Sequence, residues 1–137
     1  MPNTTIANAC FHHIALKVLD FDQSMKFYTE GLGLAVYRTW GEGDGRAAML
    51  DLGDGGCIEI FAGGKPFTLP DGASGAFMHL AIGTTNAKAA LDRAVALGCE
   101  VTVPLGDVDI PSNPVLPVTI AFVKGPNGEI IEFFEKR

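Results

Sequence analysis

The stretch Phe11-His12-His13-Ile14-Ala15-Leu16-Lys17-Val18 decides the fold, because it returns in the second half of the chain as Phe77-Met78-His79-Leu80-Ala81-Ile82. In an extended strand alternate side chains share a face, so Phe11, His13 and Ala15 line one side and Ile14, Leu16 and Val18 the other. The copy behaves alike. Phe77, His79 and Ala81 share a side, and Met78, Leu80 and Ile82 form an apolar side expected against a helix. Each half therefore offers one histidine on its less hydrophobic face. Alternation turns His12 away from His13 and leaves it outside the site, as a structural or surface histidine.

A second pair of strands repeats as well. Ile58-Glu59-Ile60-Phe61 is echoed by Ile131-Glu132-Phe133-Phe134, each placing one carboxylate among apolar residues. An ionised carboxylate is costly to bury there unless something cationic compensates it, and a metal ion is the expected compensation. The histidines lie 66 residues apart (13 to 79) and the glutamates 73 (59 to 132); the extra seven fit within the Pro-rich segment before the last hairpin. Two half-units that each give one His and one Glu supply a pseudo-symmetric His2Glu2 site.

At 137 residues with 47% hydrophobic content, the chain reads as one globular domain with a real core. A net charge of -6 and the absence of a basic stripe exclude nucleic acid as a natural partner. The N-terminus carries no secretory pattern and no apolar run is long enough to span a bilayer, so a soluble, cytoplasmic protein is expected. Cys10, Cys57 and Cys99 are widely spaced and odd in number, which fits free thiols. Cys57 shares the alternation of Glu59 and is either a liner of the same cavity or a small buried hydrophobe.

Taken in order, strand 10–18 leads to a helix capped by Asp20 or Asp22, with Met25, Tyr28 and Leu32 on one face and Gly31 and Gly33 at its end. Strands at 34–40, 46–52 and 57–61 follow, the first two joined by a Gly-rich turn at 41–45 and the last two by Gly53-Asp54-Gly55-Gly56. The second half repeats this plan: a strand at 77–83, then a helix capped by Thr84, Thr85 or Asn86 with Ala90, Leu91, Ala94 and Leu97 inward. A short strand at 99–103 precedes a long loop from Pro104 to Pro117. A final hairpin pairs 118–124 with 129–135 across Gly125-Pro126-Asn127-Gly128. The modules are thus 10–62 and 76–136, joined by a linker at 63–75 within a single domain, 1–137.

With these residues in hand, the chain resembles the vicinal oxygen chelate superfamily, which includes glyoxalase I, methylmalonyl-CoA epimerase, extradiol dioxygenases and the fosfomycin and bleomycin resistance proteins. The resemblance runs from His13 through Glu135. It is carried by His13-Ile14-Ala15-Leu16-Lys17-Val18, by Ser24-Met25-Lys26-Phe27-Tyr28 with Leu32-Gly33-Leu34, and by Ile120-Ala121-Phe122-Val123 leading through Pro126-Asn127-Gly128 to Ile131-Glu132. It implies an α+β fold in which two βαβββ modules form a curled, half-open mixed β-barrel around one divalent metal. Carried over residue by residue, the ligand set is His13, Glu59, His79 and Glu132. A carboxylate at Glu59 is similar to glyoxalase I, whereas the epimerase typically has Gln there and the dioxygenases need none. The resemblance therefore leans to glyoxalase I-like members. Where glutathione-using glyoxalases carry Arg four residues beyond the first ligand, this chain has Lys17, which meets a carboxylate as a point charge without Arg's bidentate fork.

The chemistry so implied is that of a metal-dependent lyase or isomerase acting on a small α-oxo or thiohemiacetal compound. One divalent ion per site (Ni, Co, Zn, Mn, Fe or Mg) would serve as Lewis acid for an enediolate. Family similarity makes Glu132 the catalytic base, with Glu59 serving the opposite face; Lys17, Arg38 and Arg46 are candidate substrate-binding anchors for an anionic tail. The expected partners are a small-molecule substrate, thiol conjugates included, and a second copy of the chain in a homodimer, with no nucleic acid and no membrane. The alternatives are an acyl-thioester epimerase, a ring-cleaving dioxygenase, or a non-catalytic drug- or metabolite-binding protein.

Overall fold

The computed structural model describes residues 3–66 and 74–137. The chain divides into two compact units, Met1–Lys65 and Pro66–Arg137. The central part of the linker expected at 63–75 lies outside the described residues.

The first unit begins with β1 (His13–Lys17) and α1 (Phe21–Lys26), which runs on as a π-helical turn over Phe27–Gly31. Then come β2 (Ala35–Trp40), a 3-10 turn at Gly43–Gly45, β3 (Ala47–Asp51) and β4 (Cys57–Phe61). Asp20 starts the helix: its carboxylate accepts the Gln23 N–H at 2.9 Å, satisfying a donor the helix cannot pair itself. The sheet order is β1-β4-β3-β2, with β1 and β4 parallel and the other pairs antiparallel. Leu50, Ile58 and Ile60 are fully buried, as are Val18 and Tyr28. Each such aliphatic side chain stabilises the unit by about 1.5–3 kcal/mol relative to exposure. Asp51 closes the β3–β4 turn, accepting from the Gly53 N–H at 2.6 Å and the Gly55 N–H at 3.2 Å. Both glycines have positive φ, which a side chain would strain.

The second unit repeats the plan with β5 (Leu80–Gly83), α2 (Ala87–Ala96), β6 (Glu100–Ile110), β7 (Leu116–Lys124) and β8 (Ile130–Lys136). Its sheet order, β5-β8-β7-β6, corresponds strand for strand to the first, and β5 and β8 are again the parallel pair. Asn86 caps α2 by accepting the Ala89 N–H at 2.9 Å, and Glu135 accepts the Ala87 N–H at 2.8 Å. Val118, Ala121, Val123 and Ile131 form its fully buried centre. The α+β class and the two βαβββ modules are as expected from the repeat.

Three local expectations are corrected. The segment 104–117 is mostly strand: β6 reaches Ile110 and β7 starts at Leu116. Pro104 is tolerated because β6 is an edge strand and the β6–β7 register shifts there, between Val103 and Gly106. Met78 does not lie against a helix; it is 81% exposed and Phe77 is 83% exposed, because β5 begins only at Leu80. Leu97, expected inward, is exposed, standing at the C-cap where α2 has ended and Gly98 turns the chain with φ +89°.

Candidate functional site

On the first sheet, Ala15 pairs with Glu59, Glu59 with Met49 and Met49 with Arg38, so these four form one row across the strands. Residues directly opposite one another share a face. His13 stands two residues before Ala15 on the same face, and its Nε2 lies 3.8 Å from Glu59 Oε1. The other face carries Ile58, Ile60 and Leu50 into the core, so the alternation of β4 is what leaves Glu59 facing His13.

The second sheet builds the same row from Ala81, Glu132, Phe122 and Val103. His79 Nε2 lies 3.0 Å from Glu132 Oε2, and the imidazole meets the Phe122 ring edge to face, with centroids 5.2 Å apart. Glu132 is 7% exposed. Among the described residues no group of three or more His, Cys, Asp or Glu side chains gathers to hold a metal. What each unit supplies by itself is one imidazole and one carboxylate.

The three candidate anchors are all engaged. The Lys17 ammonium donates to the Ala62 carbonyl at 3.2 Å and lies 6.0 Å from the Phe61 ring centroid. Arg38, though in the Glu59 row, donates from Nη1 to the Tyr37 carbonyl at 2.7 Å and covers the Tyr37 ring at 4.2 Å. Arg46 pairs with Asp22 at 3.0 Å and covers Phe21 at 4.7 Å, which ties it to α1. Cys57 shares the Glu59 face but is buried, with its thiol directed to the Gly55 carbonyl at 3.7 Å. Burial pushes the Cys57 thiol up, and Asp51 and Asp54 push it further, so it is a poor nucleophile.

His12 was missed. Its Nδ1 lies 2.8 Å from His13 Nδ1, with the two rings at 82° to each other. Alternation failed because β1 begins at His13 and does not extend to His12. The available signal was the break in the repeat, which has Met78 where the first half has His12.

The family model described as Glyoxalase/Bleomycin resistance protein/Dioxygenase superfamily matches residues 11–133. A probable lactoylglutathione lyase of Vibrio parahaemolyticus is 36% identical, covering 96% of this chain and 94% of its own. The lactoylglutathione lyase of Haemophilus influenzae is 33% identical, covering 91% of each. The crystal structure of a glyoxalase family protein from Enterococcus faecalis superposes with a TM-score of 0.74 at 23% identity, covering 91% of this chain and 96% of that one, a likeness of fold.

Proposed function

We propose that this chain, which belongs to the glyoxalase/bleomycin resistance protein/dioxygenase superfamily, is a divalent-metal-dependent lyase of the glyoxalase I type. The observation that carries this reading is the duplicated pair: each unit brings one imidazole and one carboxylate together, His13 with Glu59 and His79 with Glu132. The relatives named lactoylglutathione lyase support the choice of reaction.

The donor set fits a divalent ion. Two imidazole nitrogens and two carboxylates form a mixed N/O shell, and the nearly buried Glu132 sits in an apolar row where a cation offsets the cost of its charge. His13, Glu59, His79 and Glu132 would hold that ion, which when bound supplies Lewis acidity toward the substrate's adjacent oxygens. Glu132 takes the proton from the carbon next to the carbonyl. Glu132 then delivers the same proton to the neighbouring carbon, while Glu59 serves the opposite face of the intermediate. The Phe122 ring keeps the His79 imidazole in place and water away from that side.

The reading includes a twofold homodimer. It also includes a cytoplasmic place of action; no helix among the described residues is long and apolar enough to cross a membrane.

The test is metal uptake followed by turnover. Purified protein stripped with chelator should regain one nickel, cobalt, manganese or zinc ion per site and then isomerise the adduct of a 2-oxoaldehyde with glutathione or another thiol. A protein that regains no divalent ion ends the enzymatic reading. One that binds metal but turns over only an acyl thioester or a catechol moves the assignment to an epimerase or a dioxygenase.

A further inference from the structure

We infer that His12 is a positioning residue, whose Nδ1 accepts the Nδ1 proton of His13 and thereby holds the His13 Nε2 lone pair toward Glu59. The inference rests on the metal-binding reading of His13. It starts from the 2.8 Å approach of the two Nδ1 atoms. When both rings are neutral, that contact is a hydrogen bond only if one nitrogen carries a proton and the other is bare. Two arrangements satisfy it. If His12 donates, the His13 proton sits on Nε2, facing Glu59 Oε1 at 3.8 Å, which is beyond hydrogen-bond reach. If His13 donates, its proton has a partner and its Nε2 is bare, the form an imidazole needs to bind a metal.

The second unit shows why the first needs this arrangement. The His79 ring is steadied by the edge-to-face contact with Phe122, and its Nε2 stands 3.0 Å from Glu132. The residue of the first sheet that corresponds to Phe122 in the row is Met49, which has no ring, and the carboxylate stands 0.8 Å farther off, 3.8 against 3.0 Å. The neighbour on the chain differs in the compensating sense, His12 where the second unit has Met78. A ligand imidazole whose second nitrogen donates to a fixed acceptor is held in tautomer and orientation, and loss of such an acceptor typically weakens metal binding by about 10–100-fold. His12 is exposed, so replacing it leaves the core untouched.

The experiment compares His12→Leu, which has no acceptor, with His12→Asn, whose side-chain carbonyl places one near the position of Nδ1. Long-range proton–nitrogen correlation spectra of the metal-free, 15N-labelled protein, recorded at mildly alkaline pH, read the His13 tautomer. His13→Gln assigns its signals. Zinc affinity is then measured by chelator competition. The wild type and His12→Asn should show His13 protonated on Nδ1; His12→Leu should move it toward the Nε2-protonated form and bind zinc about 10–100-fold more weakly, while His12→Asn stays close to wild type. The inference is overturned if wild-type His13 is protonated on Nε2, or if the Leu and Asn variants lose affinity alike. A wild type that shows the Nδ1 proton but takes up no zinc refutes the metal reading separately, and leaves His12 a structural partner only.

Discussion

The two units build the same row and fill it differently. Ala15-Glu59-Met49-Arg38 crosses the first sheet and Ala81-Glu132-Phe122-Val103 the second. A carboxylate in the row with an imidazole beside it is common to both units; the support behind them is not. Aromatic packing holds His79, with its carboxylate close by, whereas His13 leans on a neighbouring imidazole with its carboxylate farther away. A duplicated fold thus fixes where the imidazole and the carboxylate stand, and each copy supports its imidazole separately.

The sharpest way to break this comparison is kinetic. Glu132→Gln should lower turnover of the thiol adduct by about 10²–10⁴-fold, the usual worth of a general base, and Glu59→Gln should cost clearly less. Equal losses in steady-state kcat would erase the functional difference between the two carboxylates. Next comes complementation between inactive variants. In a homodimer whose site joins the first unit of one copy to the second unit of the other, mixing His13→Ala with His79→Ala regenerates one intact site per mixed dimer. Activity should then recover to roughly a quarter of wild type after subunit exchange. No recovery would mean that both units of a site come from one chain.

Smaller effects concern stability. Asp20→Ala and Asn86→Ala each remove the cap of the helix behind a sheet, and each should lower the unfolding free energy by about 1 kcal/mol in urea titrations. A loss in only one unit would show that the helices are not equivalent supports. The smallest effect is a pH dependence, to which Cys57 contributes in the first unit and Cys99, likewise raised by burial, in the second. Because the folded chain holds the Cys57 proton to higher pH than the unfolded chain does, the unfolded chain ionises first as pH rises. Stability should therefore fall from the ordinary thiol range up to the raised folded value, with no contribution below it. Cys57→Ala should flatten that decline in melting experiments.

Much of this was legible before any coordinates. The repeated His and Glu strands could be read because period-two alternation is strict at Ile58-Glu59-Ile60, and the β3–β4 hairpin because Gly53-Asp54-Gly55-Gly56 leaves the chain few other conformations. The helix starts were legible to within two residues, as Asp20 or Asp22 and as Thr84, Thr85 or Asn86, of which Asp20 and Asn86 are the caps. What could not be read depends on partners remote in sequence. Pro104 reads as a strand breaker until β6 is known to be an edge, and Arg46 reads as a free cation until α1 brings Asp22 to it. His12 escaped because alternation is a property of strands, and the strand starts one residue later.

The register shifts in β2 and β6 have a consequence beyond the site. A four-stranded open sheet exposes unpaired amides along both margins, an invitation to cross-β stacking with other molecules. Here two of the margins, β1 and β5, are only five and four residues long, and the other two, β2 and β6, are kinked between Val36 and Arg38 and between Val103 and Gly106. A chain carrying two such sheets is thereby guarded against fibril growth on every side, and straightening β6 by replacing Pro104 with valine would lift that guard at its longest margin.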